Sequence, residues 1–396
     1  MFAIMGYGRW LKIILFNFLL VAIAGLVMRY KIVWSLPWIH QKHLLHAHSH
    51  FAFSGWVSLA LYYAMVRRLY PERAPRLMNS LLLMQWLASL GMLFTFPLMG
   101  YAAPSIFFST LTIFIGYAFA WYLWKPLNIL GEAGIWIKIG LISNLLSSIG
   151  TFFLAWLMQQ PGFSQQWYVF SVYFFLHFQY NGWFFFSIIG LYLDTSLASK
   201  IHSVEATSWK KARILMTIAV LPALLLSALW MDLGLGFWVV ASIAALLQVL
   251  ALAWMIKALQ KGMPELVSPF RYIWFTSFLA LSVKIILQLL SCLPGMSVFA
   301  FGYRPLVVAY LHLVLLGFVS LFLFGYFLRK GWMQSGWGVR SIWLAIIINE
   351  IVLIIQGLSA IGYLAVPYAN EVLFLNTTWL VAGAGKMVLA HGRDHH

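Results

Sequence analysis

Apolar stretches of about twenty residues alternate with short polar or basic ones along almost the whole chain. A helix needs about that length to cross the hydrocarbon core of a bilayer. The runs fall at about 10–29, 43–66, 77–100, 105–125, 134–158, 166–194, 209–231, 234–259, 269–293, 301–328, 339–363 and 370–390. They predict an all-α, polytopic membrane protein: a bundle of about twelve transmembrane helices forming a single transmembrane domain over residues 1–396. Strands would require a closed barrel and a period-two alternation, which the pattern lacks. No heptads, low-complexity linker or internal repeat stand out.

Composition agrees. The chain is 63% hydrophobic and 9% charged, with mean hydropathy +0.90, against roughly a quarter charged residues in a soluble domain. The net charge of +16 follows from topology and does not point to nucleic acid. Of 25 Lys and Arg residues, Arg29, Lys31, Lys42 and Arg304 fall on one side of the predicted spans and Lys284 lies inside one. The remaining twenty, Lys200 and Arg393 among them, lie on the side of the N-terminus. Basic loops stay inside, so both termini are expected in the cytoplasm, with the protein in the inner (cytoplasmic) membrane and the lipid bilayer as its constant partner. The first apolar run reads as a retained span, since no small-residue cleavage site follows it. A lone cysteine, Cys292, excludes an intramolecular disulfide, a CxxCH haem attachment and a Cys₂His₂ zinc site. Any metal or haem would be held by His, Met, Tyr or carboxylates.

The candidate chemistry is histidine. The stretch "HQKHLLHAHSHFAFSGW" opens the second span and holds His40, His43, His46, His48 and His50. The sixth span carries His177 about 16 Å below its outer end, and the tenth carries His312 at about 13–16 Å, at 1.5 Å per residue. Ionisable residues inside spans are rare and usually face a functional interior. His43, His46 and His50 share a helix face, while His48 lies roughly 200° around from His46. Neutral imidazole ligates haem iron, copper and zinc; the plain alternative is an interhelical hydrogen bond. His40 and His43 precede the span and read as interfacial. His202, His391, His395 and His396 fall on cytoplasmic segments and receive no site role.

Twelve spans, cytoplasmic termini, "HAHSHFAFSGW", "LHFQYNGWFFFSIIGLYL" and "AYLHLVLLGF" together resemble subunit I of the haem–copper oxidase superfamily, in its cbb3-type and nitric-oxide-reductase branches. The NnrS family of haem- and copper-associated membrane proteins linked to nitric oxide stress is similar as well. The resemblance implies a low-spin haem b in the outer half of the bundle, with His46 and His312 as axial ligands and Arg304 on its propionates. His50, closer in depth to His312, is the rival to His46. It further implies copper as a possible second cofactor. His177 holds the position of a copper ligand, with His50 and His48 as further metal candidates and Tyr180 nearby. The chain departs from the oxidases in having Tyr310 where a second histidine binds the high-spin haem, and no histidine in "ILMTIAVLPALLLSALWM".

The function expected is therefore a haem-binding, oxidoreductase-like membrane protein. It would transfer electrons or handle a diatomic gas (O2 or NO), with quinol or an outer-side carrier as donor and partner membrane subunits possible. The alternatives are a non-catalytic haem or metal protein of the NnrS type and a twelve-span transporter. Lys284 and Gln288, four residues apart, and Glu350 with Asn349 and Gln356 read as candidates for a buried polar path or for interhelical hydrogen bonds.

Overall fold

Hydrocarbon leaves backbone N–H and C=O groups no partner but each other, which favours uninterrupted helix. In the computed structural model all regular elements among the described residues are helical. Those residues are 5–195, 203–262, 270–362, 364 and 366–392. Lys200, His202, Arg393, His395 and His396 lie outside them.

Among the described residues nine helices are long and apolar enough to cross a membrane, from Tyr7–Val33 to Ala369–His391. A tenth candidate is the pair Glu205–Val220 and Pro222–Met231, bent by 41°. Pro222 lacks an N–H and its ring crowds the preceding turn, and the chain continues as a 3₁₀ helix over Pro222–Met231. The apolar surface left exposed is large and spread along the helices: Leu98 and Trp121 are each 79% exposed. Such surface suits lipid, where burial is not needed to satisfy apolar side chains. The chain is an all-α, multi-pass membrane protein.

Two compact units are distinguished. The first comprises 1–126, 323–356 and 365–396, the second 127–322 and 357–364. Within the first, Tyr7–Val33 packs along Ala369–Gly392, and Arg76–Met99 packs against both Ala103–Trp124 and Gln41–Phe51. Within the second, Glu132–Leu157 packs along Gln165–Leu176 and Phe185–Leu193. Ser203–Val220 packs on Leu235–Gly262, and Phe270–Leu290 packs on Leu313–Ser320.

Three helical runs change pitch partway. Gln41–Phe51 passes into a π-helical segment, Ala52–Ser58, and then Leu59–Leu69. Gln165–Leu176 passes into His177–Phe184 and then Phe185–Leu193. Arg304–His312 passes into Leu313–Ser320 and then Leu321–Arg329. These are the runs that carry the intramembrane histidines.

Candidate functional site

Each π segment begins at a histidine or within two residues of one, and each contains a glycine five residues after it. The pairs are His50 and Gly55, His177 and Gly182, His312 and Gly317. The motif H-x4-G thus occurs three times, a short repeat that hydropathy alone did not bring out. π-Helical turns are uncommon and concentrate at functional sites. Widening the helix to i→i+5 spacing also displaces carbonyls from the regular ladder, and in a membrane these need other donors. The buried amides and hydroxyls supply them. Asn17 Nδ2 donates to Gly55 O at 2.7 Å and Gln85 Nε2 to Ser54 O at 3.1 Å. In the second unit Ser277 Oγ donates to Phe318 O at 2.7 Å.

In the first unit, the face of Gln41–Phe51 that carries His46 and His50 meets Phe96 and Tyr101. The His50 ring stacks on Phe96 with centroids 4.6 Å apart, and its Nε2 lies 2.9 Å from Tyr101 Oη. The His46 ring stands 4.7 Å from that of Tyr101, and its Nε2 is buried with no hydrogen-bond partner among the described residues. His43 approaches Gly100, whose φ of +60° and missing side chain both require glycine: a Cβ there would sit 2.6 Å from His43 Nε2. His48 lies on another face, as its spacing predicts, with Nδ1 3.1 Å from Val21 O and its ring against Gly25, where a Cβ would come within 3.4 Å of Cε1.

In the second unit His177 is fully buried and both ring nitrogens are engaged. Nε2 lies 2.7 Å from Val220 O and Nδ1 lies 3.0 Å from Asn181 Nδ2. The Val220 carbonyl is available because the helix breaks at Pro222. Leu224 N, its regular partner, turns instead to Leu221 O. His312 Nδ1 lies 2.8 Å from Val308 O, one turn back on its own helix. A carbonyl only accepts, so Nδ1 carries the proton and Nε2 the lone pair. Arg304 is exposed at the first turn of the same helix. Tyr180 and Tyr310 rings lie 6.0 Å apart with their hydroxyls hydrogen-bonded, so the tyrosine standing in place of a histidine is tied to the His177 segment.

The other buried polar groups sort differently from the expected pairs. Lys284 and Gln288 make no hydrogen bond to one another; Gln288 Oε1 has no partner among the described residues. Asn349 Nδ2 donates to Glu350 Oε1 at 3.1 Å, leaving Oε2 without a partner among the described residues, and Gln356 reaches Asn370 at 3.0 Å. Sequence reading missed Asn17, Gln85, Tyr101 and Asn181. For the three amides the signal was a buried polar group in an apolar span, without a motif to connect it to a histidine; Tyr101 lies exposed between two spans and carried no such signal.

Among the described residues no three His, Cys, Asp or Glu side chains are grouped so as to hold a metal ion. No protein-family model matches the chain, and no curated protein matches it in sequence.

Proposed function

We propose that this chain is a haem-binding integral membrane protein in which His46 and His312 would each hold the iron of haem b. The observation that carries the reading is the state of their ring nitrogens. Histidines that ligate iron commonly donate the other ring N–H to a backbone carbonyl, which fixes the tautomer and raises ligand basicity. His312 has that bond, to Val308 O. His46 presents a buried Nε2 with no partner among the described residues, a costly arrangement that an axial bond would relieve. His50 is the poorer candidate, since its Nε2 is held by Tyr101. Arg304, exposed at its helix start, would hold a propionate carboxylate bidentately.

Bound haem would supply reversible one-electron chemistry and, at an open position, affinity for a diatomic gas. The chain's own groups set the ligand tautomer and keep water from the buried ring nitrogens. Quinol or an outer-side carrier would be the donor. Copper is not part of this proposal: His177 has both nitrogens engaged, His48 is turned to Val21, and no three ligands converge among the described residues. The hydrogen bond between Tyr310 and Tyr180 favours, as a second reading, a haem protein without oxygen-reducing turnover. In the same proposal the runs 41–69 and 165–193, each helical throughout, cross the membrane. With the nine long helices and the bent pair they make twelve spans, and the basic-residue bias places both termini in the cytoplasm.

The test is a reduced-minus-oxidised visible spectrum of the detergent-solubilised protein and of His46→Ala and His312→Ala. A sharp low-spin b-type α band lost in both variants is the expected result. Survival of the band in His46→Ala, with loss in His50→Ala, moves the ligand to His50. A protein that stays colourless after reconstitution with haem refutes the reading.

A further inference from the structure

Beside the His177 segment a small cavity is lined by Asn181, Gln248 and Lys284, with Phe185, Phe186 and Ile285 among its walls. All lie in the second unit. Its volume is about 10 Å³, roughly the space that one water molecule needs. The three polar side chains are deeply buried, at 5% exposure for Asn181 and Lys284 and 4% for Gln248.

Their hydrogen-bonding capacity is unspent in a complementary way. His177 Nε2 faces the Val220 carbonyl and must donate to it, so Nδ1 is an acceptor. Asn181 Nδ2 is then the donor to Nδ1, which fixes the amide and turns Oδ1 away from the histidine. Asn181 Oδ1 has no partner among the described residues, and neither has Gln248 Oε1. Lys284 brings up to three N–H donors and makes no hydrogen bond or ion pair with a described residue. A donor-rich group and two lone acceptors therefore border a void of one-water size. Leaving the two acceptors unpaired away from water costs each its full desolvation penalty.

We infer that the cavity is a binding site for one amphiprotic molecule, with water as its resident. The water accepts a hydrogen bond from Lys284 Nζ and donates to Asn181 Oδ1 and Gln248 Oε1, the three-bond state usual for buried water. A continuous chain then runs from Lys284 through the water, Asn181 and His177 to Val220 O. In it His177 is a positioning residue: it holds the orientation of Asn181 and does not touch the ligand.

Two measurements on the full-length protein in lipid nanodiscs test this. In a high-resolution single-particle map, a peak within hydrogen-bond distance of all three side chains is expected. Lys284 Nζ bonded directly to Asn181 Oδ1, or an empty void, overturns the inference. Infrared spectra in H2¹⁶O and H2¹⁸O give the second readout. An isotope-shifted O–H stretch of internal water should be present in the wild type and lost in Asn181→Leu and Gln248→Leu. Its absence from the wild type, or its persistence in both variants, overturns it equally. His177→Asn should weaken the band by freeing Asn181 to rotate; an unchanged band there removes the positioning role.

Discussion

His177 Nε2 lies 2.7 Å from the carbonyl oxygen of Val220, 43 residues further along the chain, and Pro222 is the reason that carbonyl needs a donor. The 3₁₀ helix beginning at Pro222 draws Leu224 N to Leu221 O and strands Val220 O in the interior. His177→Ala should therefore destabilise the protein by about 1–3 kcal/mol, the range for a buried polar group left unpaired, with a further loss from the cavity. Pro222→Ala allows the regular ladder to re-form and should shrink that penalty. Thermal unfolding of the two single variants and the double variant measures the coupling. If the losses simply add, the histidine is not there for the carbonyl.

The membrane helices were legible because hydropathy is a property of each segment by itself. Among the described residues the span positions read from the pattern overlie helices, nine of them long and apolar enough to cross a membrane and a tenth candidate a bent pair. The π segments were not legible, since one extra residue per turn leaves both length and hydropathy unchanged. Only comparison of His50–Gly55, His177–Gly182 and His312–Gly317 reveals their common spacing. Residue partners were less legible still. Lys284 and Gln288 share a helix face as i and i+4, yet the polar neighbours that Lys284 borders are Asn181 and Gln248, which come from two other helical elements. The role of His177 depends on a proline 45 positions away, and a local reading of "LHFQYNGW" has no access to it.

The three H-x4-G glycines should not tolerate a methyl group equally. At Gly182 a Cβ would fall inside the Ser143 side chain, 2.8 Å from its Oγ. The neighbour there is the Cβ-bearing end of a short residue with little room to give. At Gly55 the clash is with the Phe51 ring at 2.5–2.7 Å, which a ring rotation would partly relieve. At Gly317 the nearest atom is Ala280 Cβ at 3.2 Å. Overpacking costs about 1–3 kcal/mol, while Gly→Ala in a helix gains up to about 1 kcal/mol. Gly182→Ala should be clearly destabilised, Gly55→Ala less so and Gly317→Ala near neutral. Melting temperatures in that order are the expected result. Equal losses at all three would mean that the π segments share a constraint other than packing.

Tyr101 touches both candidate ligands of the first unit but bonds to one of them. Its hydroxyl is 2.9 Å from His50 Nε2, whereas its ring only flanks His46. Tyr101 is 46% exposed, so Tyr101→Phe should cost no more than about 1 kcal/mol. With His46 as axial ligand the haem α band keeps its position and intensity in that variant. With His50 as ligand the hydroxyl would have to leave the nitrogen first, and its removal should raise haem occupancy. Haem titration of the apoprotein beside its Tyr101→Phe variant distinguishes the two by whether the affinity stays unchanged or rises.

Whether the π-containing runs cross the bilayer can be decided with single cysteines, because Cys292 is the natural one and is buried. In a Cys292→Ser background, Ser35→Cys, Glu72→Cys, Ser164→Cys, Leu233→Cys and Ser335→Cys each place a thiol at an exposed loop position. If 41–69 crosses, positions 35 and 72 lie on opposite faces. If 165–193 and the bent pair both cross, positions 164 and 233 share a face. Three further spans then put position 335 on the other one. Because the basic residues hold their loops in the cytoplasm, an impermeant maleimide added to intact cells should label positions 35, 164 and 233. Positions 72 and 335 should react only after permeabilisation. Labelling of position 72 from outside would make 41–69 a re-entrant segment and bring the second-span histidines back out on the side they entered. Opposite faces for 164 and 233 would mean that just one of the two interrupted elements spans. A helix with a widened turn can pair displaced carbonyls with side-chain donors, as Ser54 O and Gly55 O do with Gln85 and Asn17. For that reason full crossing is the outcome that the chemistry of these segments supports.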